Sequence, residues 1–396
     1  MKSMIIVSHA MEIGGAERSL IGLLNSIDYS EYKVDLFLLR HTGEFMSMIP
    51  KEVNLLPPKK EYSYLATPIS DVIKNGAISI AAGRFIGKTK AKIFIKKNNL
   101  PPNPGVALDY SHKYTAKFMP KISDKKYDLA ISFLTPHYFA AQKTDAKIKM
   151  AWIHTDYTKL SIDIDSELKM WGAYDKLVAV SDKCKENFIK VFPSLEEKVV
   201  VIENILSQEF VREQAEMEDV SSEIPEYKDG INILSVGRFE TAKNFTELPQ
   251  IVSKLDMPVK WYLIGYGGLE TEIRKKIREY NLEGRIVILG KKTNPYPYMK
   301  ACDVYAQLSL YEGKSVTVRE AQMLYRPVVI TNYSTAKSQV NDGVDGKIIP
   351  LEIDDCVEEL RRFLSDKELQ KKLSDTCKDL NFGNEEEVEK IYDVIR

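Results

Sequence analysis

Met4-Ile5-Ile6-Val7-Ser8-His9, followed by Gly14-Gly15-Ala16-Glu17-Arg18, is the stretch from which the fold can be read. Its apolar run has no polar alternation, which predicts a strand buried on both faces. The glycine pair predicts a tight turn, and Ala16 to Ile27 carries a helical pattern. Strand, glycine turn and helix in succession open a doubly wound α/β domain. Two adjacent glycines are not the G-x-G-x-x-G fingerprint, so a bound dinucleotide is not expected. They instead let backbone come close to a ligand at the strand's C-terminal edge.

Working outward, the same rhythm continues. Residues 32–39, 53–56, 128–133, 149–154, 177–180 and 199–202 read as further strands. Their C-terminal ends carry polar residues: Thr135-Pro136-His137, His154-Thr155-Asp156, Ser181-Asp182 and Glu203-Asn204. In an open parallel sheet those ends line the ligand crevice, which draws attention to His9, His154 and His137. Periodicity fades from Ser207 to Lys228, which reads as a linker. A second α/β rhythm follows, with strands at 231–236, 259–264, 286–289, 304–306, 328–330 and 347–349, and charged helices from Cys356 onward. The expected domains are 1–206 and 207–383, with 384–396 crossing back to pack on the first.

The region from about 62 to 108 departs from this pattern and reads as a helical insertion. Between Val72 and Leu108 there is no acidic residue, while Arg84, Lys88, Lys90, Lys92, Lys96 and Lys97 interleave with Phe85, Ile86, Ile93, Phe94 and Ile95. Two readings stand side by side. Either residues 84–97 make peripheral contact with an anionic membrane, or the apolar face packs on its own domain and the lysines are solvated.

Composition narrows the field. The 396 residues are 44% hydrophobic and carry a net charge of -1, enough for two sizeable cores and contrary to bulk nucleic-acid binding. Cys184, Cys302, Cys356 and Cys377 form no CxxC pair, which fits a reduced, cytoplasmic protein without structural zinc. The N-terminal apolar run is too short for a signal peptide, and no segment reaches transmembrane length, so membrane contact is expected to be peripheral.

Candidate chemistry concentrates in the second half. In Leu310-Tyr311-Glu312-Gly313-Lys314-Ser315-Val316-Thr317-Val318-Arg319-Glu320-Ala321, two glutamates flank a glycine turn and a helix start with Ser315 at the N-cap. A helix start attracts anions, and carboxylates accept hydrogen bonds from hydroxyl pairs. The alternative is a solvated amphipathic helix. Upstream, Arg238 and Lys243 follow a strand and Gly237, a pattern suited to stabilising a departing diphosphate. Gly265-Tyr266-Gly267-Gly268 is a second turn after a strand. Gly313-Lys314-Ser315 is not a P-loop, because the leading glycine would fall at Leu308. Asp163-Ile164-Asp165 resembles a metal-binding DxD but reads better as loop or helix-start carboxylates.

Taken in order, Gly14-Gly15-Ala16-Glu17-Arg18, Val236-Gly237-Arg238 with Lys243, Ile264-Gly265-Tyr266-Gly267, and Glu312-Gly313 through Glu320-Ala321 resemble the retaining GT-B glycosyltransferases of family GT4. The resemblance implies two Rossmann-like domains facing a central cleft, with a nucleotide-sugar donor held mainly by the second. It implies that Glu320 holds the ribose, Arg238 and Lys243 the diphosphate, and Glu312 with the backbone of Gly313, Lys314 and Ser315 the transferred sugar, with Val316 also in the donor site. Gly237 and Gly265 would line the donor site and Gly15 approach it from the first domain. His154 would lie near the reacting centre, with His137 as the competing histidine. No metal or cofactor is implied. The expected reaction is retaining, metal-independent transfer of a hexose-type sugar, from a UDP-sugar ahead of a GDP-sugar, to a glycan or lipid-linked acceptor. It would serve surface polysaccharide (capsule) or glycolipid synthesis in the cytoplasm or on the inner face of the membrane. A nucleotide-sugar epimerase on the same scaffold and a non-catalytic partner subunit are the alternatives. Many family members have an aromatic residue and then proline after the first Glu-Gly. This chain has Lys314-Ser315, so the donor sugar does not carry over.

Overall fold

The computed structural model describes residues 1–100, 104–134, 137–312 and 314–396. Gly313, expected to bind donor, and the strand-end pair Thr135-Pro136 lie outside the described residues. The chain forms two units, Met1–Ile205 together with Asn384–Arg396, and Leu206–Gly383.

In the first unit, β1 (Lys2–Ser8), β2 (Tyr32–Leu38), β3 (Asn54–Leu55), β4 (Lys126–Ser132), β5 (Asp145–Ile153), β6 (Lys176–Ala179) and β7 (Val199–Val201) form one sheet. The order is β3-β2-β1-β4-β5-β6-β7. Every pairing is parallel, with Ile6 of β1 facing Leu36 and Ile131 on either side. Strand order reverses between β1 and β4, so the C-terminal ends of these two strands mark the switch point where such sheets bind ligands. Ile5, Val7, Phe37, Ala130 and Ala151 pack into one core with the aromatic layer of Tyr62, Phe139, Trp171 and Phe188.

The second unit repeats the architecture with β8 (Ile231–Val236), β9 (Val259–Ile264), β10 (Ile286–Gly290), β11 (Val304–Gln307), β12 (Val328–Thr331) and β13 (Lys347–Ile349). Its order is β10-β9-β8-β11-β12-β13, again parallel, with the reversal between β8 and β11. Two doubly wound parallel sheets are the GT-B pattern, as the sequence motifs implied.

The 207–228 stretch corrects the linker reading. Gln208–Ala215 is a helix whose N-cap Ser207 accepts from the Phe210 amide at 3.3 Å. Val211 and Ala215, one turn apart, are buried in the second unit's core. A two-turn helix with one short apolar edge leaves too weak a periodicity to stand out among its glutamates.

The C-terminal segment belongs to the first unit. The Tyr392 ring stacks on Tyr32 with centroids 4.1 Å apart, and its hydroxyl accepts from the Asp28 amide at 2.8 Å. Lys2 Nζ donates to the Ile395 carbonyl at 2.7 Å. Tyr392→Ala is therefore expected to lower the first unit's stability by about 3 kcal/mol, and Tyr392→Phe by about 1 kcal/mol. Urea midpoints of the two variants check this, and an alanine variant as stable as wild type refutes it.

Candidate active site

The loops that leave β8, β9 and β11 converge at the C-terminal edge of the second sheet. Gly237 opens the first. A Cβ there would stand 3.2 Å from Lys243 Cδ and Cε, so glycine lets the lysine stem cross the turn. Lys243 ends the short 3-10 turn Thr241–Lys243, and Asn244 follows in the left-handed region at φ +58°. Asparagine tolerates that conformation.

Lys243 Nζ donates to Glu312 Oε1 at 2.5 Å, and the two side chains are only 20% and 12% exposed. The same carboxylate oxygen accepts from Ser309 Oγ at 2.6 Å. Behind it, Gln307 Nε2 donates to Ser309 Oγ at 2.9 Å, and Tyr305 Oη donates to Gln307 Oε1 at 2.9 Å. Tyr305, Gln307 and Ser309 alternate along an extended chain and so share one face. This buried polar row holds Glu312 from below. Thr335 Oγ1 donates to the Glu312 carbonyl at 2.9 Å, and the Leu310 amide donates to Ala242 O at 2.8 Å. The β11 loop is thus tied to the β8 loop by backbone as well as by charge.

The β9 loop is tied to the same place. Gly265, at φ +155°, lies so close to Gly237 that a Cβ would meet its carbonyl oxygen at 1.9 Å. At Gly267, φ +158°, a Cβ would meet Phe239 O at 2.6 Å. The Phe239 amide donates to Tyr266 O at 2.8 Å, and the Leu269 amide to Phe239 O at 3.1 Å. Phe239 is itself fully buried. The three glycines therefore seat one loop on the other.

Helix Val316–Met323 begins beside Glu312. Ser315 occupies its N-cap, but the hydroxyl faces Thr317 Oγ1 at 3.1 Å and caps no first-turn amide. Gln339 grips the cap residue instead, its Oε1 accepting from Ser315 N at 3.1 Å and its Nε2 donating to Ser315 O. Tyr333 Oη steadies that amide group at 2.8 Å. Val316 and Lys314 are half-buried at the same helix start. The two glutamates do not share an environment. Glu320 is fully enclosed, with Oε1 accepting from Tyr296 Oη at 2.8 Å. Arg238 is 60% exposed and pairs with Glu240 at 3.4 Å.

In the first unit, Gly15 begins helix Gly15–Ser26, and nothing lies within 4 Å of where its Cβ would stand. The chain's own packing does not demand glycine there. His154 Nε2 donates to the Phe133 carbonyl at 2.8 Å. That bond fixes the tautomer and leaves Nδ1 as the acceptor. Burial pushes the ring's pKa down to about 4, so it is neutral at physiological pH. His137 is a core residue. Ser132 Oγ lies 2.7 Å from its Nδ1, Trp171 packs against it at 4.6 Å, and burial lowers it to about 3. His9 Nε2 is 3.0 Å from Arg40, which also pairs with Glu12 at 3.1 Å. Asp163 N-caps helix Ile164–Gly172, accepting from Ser166 N at 3.2 Å.

The positioning residues Ser309, Gln307, Thr335, Gln339, Tyr296 and Phe239 were not anticipated. One signal was present in the sequence. Polar residues at every second place in and just beyond an otherwise apolar strand, Tyr305, Gln307 and Ser309, imply a satisfied buried network.

Residues 216–379 match the family model described as Glycosyl transferases group 1. A Campylobacter jejuni protein named N-acetylgalactosamine-N,N'-diacetylbacillosaminyl-diphospho-undecaprenol 4-alpha-N-acetylgalactosaminyltransferase is 29% identical over 195 residues, 49% of this chain and 52% of that protein. An Escherichia coli UDP-Gal:alpha-D-GlcNAc-diphosphoundecaprenol alpha-1,3-galactosyltransferase is 26% identical over 230 residues, 55% of this chain and 59% of that one. The chain spans about half the length of these curated relatives. Among solved structures, Anabaena Alr3699/HepE in complex with UDP and glucose superposes with a TM-score of 0.68 at 15% identity, covering 100% of this chain and 99% of that one. By fold the protein is of the GT-B class. The match to the group 1 family model falls within the second unit, Leu206–Gly383.

Proposed function

We propose that the protein is a retaining, metal-independent glycosyltransferase. It moves a hexose-type sugar from a UDP-sugar to a glycan or lipid-linked acceptor in surface polysaccharide or glycolipid synthesis, working in the cytoplasm or at the inner face of the membrane. The observation that carries this reading is the half-buried Lys243–Glu312 pair, held at the switch point of the second sheet by three interlocked loops. The names of the relatives, which specify sugar transfer to diphosphoundecaprenol-linked acceptors, support the substrate class.

In the proposed reaction, the bond between the sugar's anomeric carbon and the diphosphate oxygen breaks, and the electron pair leaves with the diphosphate. Lys243 and Arg238 offset the charge that develops there. The acceptor hydroxyl attacks from the same face, and its proton passes to the departing phosphate oxygen. The anomeric configuration is kept, and no separate protein base is required. Glu312 accepts hydrogen bonds from the sugar, and Glu320 from the ribose. Lys314, Ser315 and Val316 line the sugar and phosphate with backbone, alongside Gly237 and Gly265. Neutral His154 cannot donate a proton as a cation, but its Nδ1 can accept from a sugar or acceptor hydroxyl. Gly15 leaves room for the donor beside the first helix.

Thermal unfolding with nucleotide diphosphates tests the donor. UDP at about 100 times its dissociation constant is expected to raise the second unit's melting temperature by about 5–10 °C. GDP is expected to give a smaller shift, and EDTA to leave turnover unchanged. No shift with either nucleotide, or a product of inverted configuration, overturns the proposal. Conversion of donor to an isomeric sugar without acceptor would point to an epimerase.

A further inference from the structure

The Ile78–Lys97 helix is built the wrong way round for a helix that only packs on its own domain. Its buried positions are small: Ala81, Gly83, Gly87 and Ala91, with Ile80 the one bulky exception. Gly83 and Gly87 let it close tightly on helix Pro104–Thr115, where a Cβ would meet Tyr114 O at 2.8 Å and Tyr110 O at 2.6 Å. Phe94 and Ile95 pack beside Ala91 against Val106 and Tyr110, and the other bulky apolar residues point away. Phe85 is 63% exposed and Ile93 59%, with Ile78 and Ile86 also exposed. Ile78, Ala82, Phe85, Ile86 and Ile93 fall on one helical face, with Thr89 at its middle and Lys96 at its C-terminal end.

That apolar stripe is edged by cations on both sides. On helical geometry, Lys88 and Lys92 flank one border and Lys90 and Lys97 the other. All four are exposed, and none makes an ion pair with another described residue. Arg84 is not part of this face. Its Nη1 donates to Tyr64 O at 2.6 Å and to Thr67 O, tying the helix to its own unit. Of the earlier readings, the exposed stripe disfavours the helix that hides its apolar face.

We propose that this helix lies flat on the surface of a bilayer containing anionic lipid. Phe85, Ile86 and Ile93 enter the acyl boundary, and the lysines reach sideways into the headgroup phosphates. A bilayer offers apolar interior directly beneath a plane of negative charge, matching a stripe edged by lysines on both sides. A second copy of the chain would bring like-charged lysine rows together. No helix of the described residues is long and apolar enough to cross a membrane. The inference rests on exposure and charge and does not require the transfer reaction.

Flotation of the full-length protein with vesicles tests it. Phosphatidylcholine vesicles carrying about one-third phosphatidylglycerol are expected to bind at least about 10-fold more protein than pure phosphatidylcholine, with binding weakened by salt. Phe85→Ser/Ile93→Ser is expected to lose at least about 10-fold of that binding, and Lys88→Gln/Lys92→Gln a smaller part, at unchanged melting temperature. No enrichment on anionic vesicles, as an acidic protein partner would give, overturns the proposal. So does a Phe85→Ser/Ile93→Ser variant that floats like wild type. If vesicles bind but no donor is turned over, the docking surface stands and the transfer reading falls.

Discussion

Lys243→Ala is expected to lower the rate of sugar transfer by at least about 100-fold, the scale seen when one donor to a developing oxyanion is removed. Two effects act together. The first is loss of a fixed cation at the diphosphate. The second is exposure of Glu312 to a changed field, because Lys243 is its partner at 2.5 Å in a half-buried site. Removing one member of such a pair leaves the other charged and poorly solvated, at a cost of about 1–3 kcal/mol. Glu312→Gln keeps an oxygen that can accept from both Lys243 Nζ and the Ser309 hydroxyl, so the hydrogen bonds survive while the charge pairing is lost, a smaller penalty than truncation. It therefore separates chemistry from stability. Glu312→Gln is expected to fold with a near-normal melting temperature and still lose most of its turnover. The double variant Lys243→Ala/Glu312→Gln is expected to be no slower than the worse single one, because groups acting as a unit are not additive. Steady-state kinetics of the three variants, with melting curves alongside, check this. Near-normal turnover in both single variants refutes the assignment.

Strands were legible because burial on both faces leaves an unbroken apolar mark. β1, β5 and β9 each contain one, at 4–7, 150–153 and 261–264, and each strand stands within a few residues of its expected place. The turn glycines were legible as turns but not for what they do. Gly265 reads as an ordinary tight-turn residue, and only the structure shows it pressed against Gly237 O. The Glu312 loop was legible as a charged turn before a helix, while its support was hidden. Ser309, Thr335 and Gln339 act across chain separations of 3 to 24 residues, through hydrogen bonds that leave no periodic trace. The Ile78–Lys97 helix was ambiguous for a related reason. Glycine and alanine on a buried face look like nothing in a hydropathy pattern, and the stripe that does look apolar is the exposed one.

Gly265→Ala is expected to be the most destabilising small change in the second unit, at about 3–5 kcal/mol. Its φ of +155° is a conformation that L side chains rarely adopt, which alone costs about 1–3 kcal/mol. The added methyl would also stand 1.9 Å from the Gly237 carbonyl oxygen, and backbone cannot swing aside as a long side chain can. Relief requires the β8 and β9 loops to part. The Gly237 amide bonds to Ile264 O at 3.0 Å and the Phe239 amide to Tyr266 O at 2.8 Å, so parting them strains both. The Lys243 stem crosses Gly237, so the damage also reaches the ion pair with Glu312. Gly268→Ala is the matched control. It lies in the same loop without a left-handed φ, nothing stands within 4 Å of its Cβ position, and a change within about 0.5 kcal/mol is expected. Urea unfolding of the two variants measures the contrast. Equal stabilities would mean that the loops are not seated on each other as the glycine contacts require.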